Sequence, residues 1–215
     1  LTPSPVLGWM PEYLSQEDLH YQAEALAAHY RRLGLVGKKV LVAFSYHVFA
    51  GGWLFRQALW RAGNLVLPHG PGEAKRVAEL GERYGFDVLV TNPSFALKVA
   101  QAGGRFPLLL AGGEPFTSVP GFRERVEEAL GGVALDAYGT SELGIVAGER
   151  PEKDGLWEIP EMAVLVIGHT IICLPFTIAG ITASLDGVDE QLEQAALTLG
   201  ASRFRVLWEI VIPLI

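Results

Sequence analysis

Regular patterning begins at Gln16, where Leu19, Ala23, Leu26, Ala27 and Leu33 recur at helical spacing behind Ser15 and the acids Glu17 and Asp18. A serine ahead of acids caps the free amides of a first turn, so a helix is predicted from Gln16 to Gly34. The period then shortens. KKVLVAF, Lys38 to Phe44, is a brief apolar run rich in valine and predicts a strand; 50–63 returns to helical spacing, and NLVLP at 64–68 to strand. The alternation continues through helix 72–84, strand 87–91, helix 93–102, strand 107–113, helix 120–130 and strand 132–139. Strands that are apolar throughout, separated by amphipathic helices, predict an α/β fold: a mostly parallel sheet with helices on both faces.

Beyond residue 160 the pattern is of another kind. From Met162 to Leu185, 24 residues carry no Asp, Glu, Lys or Arg. About 20 predominantly apolar residues suffice to cross a bilayer. A membrane-type helix is the favoured reading, because such runs are uncommon in soluble domains; His169, Pro175 and the threonines keep open a helix buried in a soluble core. Leu192, Ala195, Ala196 and Leu199 then recur at helical spacing, and Gly200 stops that helix. Two domains are predicted, 1–160 and 161–215. The second divides into an apolar helix at 162–185, a loop at 186–207 and the start of a next helix at 208–215.

Composition narrows the partners. The chain has 215 residues, 50% of them hydrophobic, which is enough to fill a sizeable core. A net charge of -7 with no basic run argues against a nucleic-acid partner. Cys173 is the single cysteine, which excludes an internal disulfide and a cysteine-rich zinc site. The first residues show neither the pattern of a signal peptide nor a starting Met, so a fragment is expected. Only 2 of the 17 basic residues lie beyond residue 160, against 6 of the 24 acidic ones, and Arg203 and Arg205 therefore fix no membrane orientation.

In parallel sheets ligands sit beyond the carboxyl ends of strands. The candidate loops are 45–52, 92–95, 112–117 and 136–144. In AGGEPF, Gly112 and Gly113 allow a planar ligand to approach the backbone, and Glu114 and Pro115 follow them. In DAYGTSELG, the Thr140 and Ser141 hydroxyls can hold phosphate oxygens, Glu142 can supply an oxygen to Mg²⁺, and Tyr138 can flank a base. Each of these residues, taken singly, also serves as an ordinary solvated or capping group. His47 and His69 have no partner at metal-ligand spacing and are not expected to be ligands.

Taken together the loops resemble those of the AMP-forming acyl-CoA ligases, most closely the phenylacetate-CoA ligase branch, from about Leu14 to Pro160. AFSYHVFAGG is similar to the aromatic, glycine-rich segment lining the acyl pocket of that branch, and TNPSFAL to its Thr-Pro-Ser-Tyr-Ala-Leu segment. AGGEPF looks like its Gly-Ala-Glu-Pro nucleotide loop, with Gly113 for Ala, and DAYGTSELG like its Asp-Tyr-Gly-Ser-Glu motif. The resemblance implies ATP, Mg²⁺ and coenzyme A as cofactors and a small-molecule carboxylic acid, of arylacetic type, as substrate. It implies that Gly112, Gly113, Glu114, Pro115, Asp136, Tyr138 and Gly139 bind the nucleotide. Thr140 and Ser141 would lie at the α-phosphate, and Glu142 at Mg²⁺. Phe44, Tyr46, Phe49 and Phe95 would form the acyl pocket. The Ser/Thr/Gly-rich phosphate loop and the C-terminal domain with its adenylation lysine are missing from the sequence. Adenylation is therefore expected to be very slow or undetectable.

Residues 185–215 resemble the cytoplasmic loop of ABC-transporter permeases, especially the spermidine/putrescine type. Gln194, Ala195, Ala196, Gly200, Ile210, Ile212 and Pro213 keep that family's spacing, with Gln for Glu and Ile for Leu. The resemblance implies a short helix that inserts into a cleft of an ABC ATPase subunit; an amphipathic helix packed on a soluble core is the alternative. The implied locations conflict: cytoplasmic for 1–160, inner or plasma membrane for 161–215. A single crossing at 162–185 with a cytoplasmic permease loop leaves residues 1–160 outside, away from ATP. The expectation is a junction of two unrelated fragments near residues 159–166.

Overall fold

The computed structural model describes residues 2–4, 8–10, 13–46, 50–187 and 190–212. They divide into two compact units, Leu1–Val164 and Leu165–Ile215.

The first unit opens with a small antiparallel pair, β1 (Thr2–Ser4) and β2 (Gly8–Met10). Helix α1 (Gln16–Arg32) starts as the sequence predicts, with a reciprocal cap: Ser15 Oγ accepts from the Asp18 amide at 3.0 Å, and the Asp18 carboxylate accepts from the Ser15 amide at 2.9 Å. The Ser15 hydroxyl, which donates to the Asp18 carboxylate at 2.7 Å, and then the Ser15 amide hold the Asp18 carboxyl below its ordinary range. Then β3 (Lys39–Val42), α2 (Ala50–Arg61), β4 (Leu65–Pro68), α3 (Ala74–Tyr84), β5 (Val88–Thr91), α4 (Pro93–Gln101), β6 (Leu108–Gly112), α5 (Phe122–Leu130) and β7 (Val133–Thr140) alternate. The strands stand in the order β4-β3-β5-β6-β7, all parallel. Two antiparallel strands, β8 (Gly144–Glu149) and β9 (Leu156–Glu158), extend the sheet beyond β7.

Side chains alternate across this sheet and fill two cores. On one face Val40, Val42, Val88, Val90, Leu110 and Leu135 pack with Leu26 and Tyr30 of α1 and Phe55 and Leu59 of α2. On the other, Leu41, Leu89, Leu109 and Ala134 pack with Val77 of α3, Val99 of α4 and Val126 of α5. Burial on both sides is why these strands are apolar at every position. The expected α/β sheet with helices on both faces is thus present, as a mixed sheet. The strand predicted at 132–139 is β7, and the candidate loop at 136–144, which overlaps it, is the end of β7, a tight turn and the start of β8.

In the second unit, α6 (Ala163–Asp186) carries Pro175 inside it, and its best window has a mean hydropathy of 2.1 with none of it buried. Among the described residues it is the one helix long and apolar enough to cross a membrane. Its threonines satisfy themselves: Thr170, Thr177 and Thr182 donate to the carbonyls of Val166, Cys173 and Ile178, one turn back, at 2.8, 3.1 and 2.9 Å. Helix α7 (Glu190–Thr198) ends before Gly200, at φ +88°, and α8 (Arg203–Val206), capped by Ser202, runs into a π turn at Leu207–Val211. Gln194, Ala195 and Gly200 are exposed and Ala196 is half-buried. The Ile210 side chain and Pro213 lie outside what is described.

Candidate functional site

The chain leaves β3 for β4 on one side of it and later returns to β5 on the other. That reversal opens a crevice at the carboxyl ends of the strands. A cavity of about 410 Å³ occupies it. Phe44 and Ser45 reach it from the end of β3, Asn92 from β5, Gly113 from β6, and Gly139, Thr140 and Ser141 from β7 and its turn; Gly51 and Gly52 of α2 close one side. Three candidate loops and the hairpin turn therefore meet in one place.

Two glycines are required by this geometry. Gly113 has φ +81°, and a Cβ there would stand 3.4 Å from both Asn92 Nδ2 and the Phe44 ring. A Cβ on Gly139 would stand 2.4 Å from the Gly144 carbonyl oxygen, so β7 and β8 can close only over a glycine. The apolar wall is Phe44 stacked on Phe55, with ring centroids 5.1 Å apart, together with Leu54 and Ile145. Thr140 Oγ1 also accepts from the Leu143 amide at 3.2 Å and so shapes the turn that carries Ser141.

Other candidate residues stand around the cavity rather than in it. Glu142 is exposed at the tip of the turn, and Tyr138 is 56% exposed on β7. Gly112 is buried within β6, and Pro115 is exposed. Glu114 accepts from the amide of Ser94 and, at 2.9 Å, from its hydroxyl. Asp136 is buried: its carboxylate accepts from Thr117 Oγ1 at 2.8 Å, and its amide donates to Glu149 at 2.9 Å. Glu149 in turn pairs with Arg123.

The three described aromatics of the expected acyl pocket separate. Phe44 lines the cavity. Tyr46 packs edge-on against Trp53, with centroids 5.5 Å apart, and burial pushes its hydroxyl up to about 12. Phe95 lies on α4 and packs into the core on the opposite face of the sheet, because the helix, not the loop before it, sets its direction. Phe49 and His47 lie outside the described residues. Asn92, which only its loop marked in the sequence, is the polar side chain that joins Phe44 and Gly113 at the cavity.

The cavity suits an adenylate-sized, partly aromatic ligand. Its volume falls within the range of small-molecule sites, and it combines an apolar wall, three hydroxyl-bearing residues and close backbone approach at Gly113. Among the described residues no cluster of three or more His, Cys, Asp and Glu could hold a metal ion. Mg²⁺ commonly takes one or two carboxylates and completes its shell with phosphate oxygens and water.

No family model matches the chain. A phenylacetate-coenzyme A ligase of Pseudomonas putida is 30% identical over 73% of the chain, which spans 39% of that protein's length. The molybdenum transport permease ModB of Escherichia coli is 45% identical over 49 residues, 23% of the chain and 21% of that protein. The spermidine/putrescine permease PotC of the same species is 40% identical over 50 residues, 19% of its length. A crystal structure of 2-hydroxyisobutyryl-CoA ligase with 2-HIB-AMP and CoA superposes with a TM-score of 0.63 at 23% identity, covering 68% of the chain and 38% of that protein. The first unit has the fold of these ligases, and the chain resembles ligases over most of its length and permeases over a short segment.

Proposed function

We propose that residues 1–160 hold the nucleotide and acyl site of an AMP-forming acid–CoA ligase, acting on a carboxylic acid of arylacetic type. The observation that carries this reading is the convergence of Phe44, Asn92, Gly113, Gly139, Thr140 and Ser141 on one cavity of about 410 Å³ at the strand ends. The relatives are ligases, and the four motifs follow one another in the expected order. In the ligase reaction the acid's carboxylate attacks the α-phosphorus of ATP with loss of pyrophosphate, and the thiol of coenzyme A then takes the acyl group. The protein's part is to position and to stabilise charge. Thr140 and Ser141 donate to α-phosphate oxygens, Gly113 and Gly139 let the ligand approach the backbone, and Phe44 on Phe55 packs the acyl body. Mg²⁺, held by Glu142 and the phosphates, would screen the developing charge.

Among the described residues no lysine or arginine lines the cavity. Binding is therefore expected to outlast turnover, and adenylation by this chain is expected to be slow. The test is calorimetric titration of the full chain in detergent with Mg-ATP and with a non-hydrolysable arylacetyl-adenylate mimic. Glu142→Ala is expected to weaken Mg-ATP about tenfold, the size of a lost charged contact, and to leave metal-free ATP unchanged. Equal binding of Mg-ATP by both proteins would remove Glu142 from the site; no binding of either ligand by a folded chain would overturn the reading.

A second reading applies to residues 161–215: a permease-type segment whose α7 and Gly200 contact an ABC ATPase subunit. It is supported by the ModB and PotC matches and by the helix stop at Gly200, φ +88°. The division of the chain after Val164 falls within the junction expected at 159–166 and supports a fusion of two fragments.

A further inference from the structure

Asn92 occupies the N-cap of α4, where an asparagine side chain ordinarily accepts from an amide of the first turn. Here it makes no such bond. The Ser94 amide, in that first turn, is bonded instead by Glu114 from the neighbouring loop, which also takes the Ser94 hydroxyl at 2.9 Å. Glu114 is thus an acidic cap supplied from β6 to the start of α4, where a negative charge is favoured by the helix dipole. The Asn92 side chain, relieved of capping, lines the cavity with its Nδ2 beside Gly113.

The Glu114 loop is fixed a second time. Three residues on, Thr117 donates its hydroxyl to Asp136 of β7 at 2.8 Å. Anchored to α4 at one end and β7 at the other, residues 113–117 have little freedom. Gly113 is the residue of that span which faces the cavity, between Asn92 and Phe44.

We propose that Asn92 is a ligand-binding residue of this cavity, donating its amide to an oxygen of the carboxylic acid or acyl-adenylate held against Phe44, and that Glu114 is a positioning residue that frees it by capping α4 in its place. This rests on the functional reading above and adds to it a polar contact at the acyl end. Asn92 has two amide donors and one acceptor, and it uses none of them to cap α4.

Two measurements on the full chain separate the parts. The first needs no ligand: hydrogen exchange across the peptide containing residues 92–97. Glu114→Ala is expected to speed exchange of the Ser94 amide about fivefold, the worth of one cap, and Glu114→Gln, whose amide oxygen still accepts, to restore most of the protection. Asn92→Ala alone is expected to change nothing, whereas in the Glu114→Ala background it speeds exchange further, because Asn92 has by then taken over the cap. Faster exchange in Asn92→Ala alone, or no effect of Glu114→Ala, would overturn the exchange of roles.

The second is titration with the acyl-adenylate mimic. Asn92→Ala is expected to weaken it about tenfold. Glu114→Ala is expected to weaken it as well, but not in the Asn92→Ala background, since Glu114 acts through Asn92. Additive losses would place Glu114 on the ligand and overturn its positioning role. A folded chain that binds no mimic would overturn the functional reading and Asn92's contact together, and the exchange cycle would still decide the cap.

Discussion

His29 shows how one residue of the first unit sets a pH limit. It lies on α1, 7% exposed, against Gly148 of β8, where a Cβ would come within 2.7 Å of its Nε2. Burial lowers its pKa from 6.5 to about 4; Arg32 and Arg150 push the same way and Glu161 opposes them. The unfolded chain therefore takes up this proton first. Stability is fully present above about pH 6.5 and declines as the pH falls towards 4. The carboxylates of Glu24 and Glu161, bonded to Arg61 and Arg32, are held below their ordinary 4.5, so the stability they add is lost only as the pH falls from there through their lowered values. Urea midpoints at pH 7 and pH 5 are expected to differ in the natural chain and to draw together in His29→Gln. An unchanged difference in the variant would assign the acid sensitivity elsewhere.

At the scale of elements, the β7–β8 hairpin is tied to α5 by the pair Arg123–Glu149, with side chains 15% and 3% exposed. Glu149 also takes the Asp136 amide, so the same carboxylate braces the strand that carries Thr140. Arg123→Ala leaves that charge buried and uncompensated, and a loss of about 3–5 kcal/mol is expected in denaturant unfolding. Adding Glu149→Gln should recover much of it; a loss under 1 kcal/mol in the single variant would show that water reaches the carboxylate. This hairpin is also where the sequence was least legible. Strands β3, β5 and β6 were legible because burial on both faces made them valine- and leucine-rich, and β4, mostly exposed at the sheet's edge, from its apolar residues alone. GIVAGE and LWE, short and flanked by turns, carry no such run, whereas the strand predicted at 132–139 is β7, which runs one residue further, to Thr140. The motifs located the cavity, since loops after parallel strands must converge. Side-chain direction was not legible: Phe95 belongs to the far core because of its place on α4, and the freedom of Asn92 depends on Glu114, a neighbour only in space.

For the whole molecule, the decisive element is α6. Ile167, Ile171, Ile172, Leu174, Phe176 and Ile178 are all exposed, and its hydroxyls are satisfied within the helix. Such a surface in water would drive association, whereas in a bilayer it needs no partner, because a helix past its first turn bonds its amides within the segment and Pro175 has none to bond. We propose that α6 inserts into membranes. The full chain is expected to float with phosphatidylcholine vesicles in a density gradient and to resist extraction by high salt. Ile172→Lys with Ile178→Asp, each change costing roughly 3 kcal/mol at the centre of a bilayer, should abolish flotation while leaving the His29-dependent unfolding of the first unit intact. Flotation that survives both charges would locate the membrane contact outside α6. A chain that stays in the aqueous layer would make the helix an interface between protein surfaces. Where flotation holds, one crossing sends residues 1–160 and the α7–Gly200 segment to opposite faces of the membrane. Added protease would then cut one of them and spare the other, so a nucleotide site and an ATPase contact could not both be used from a single compartment.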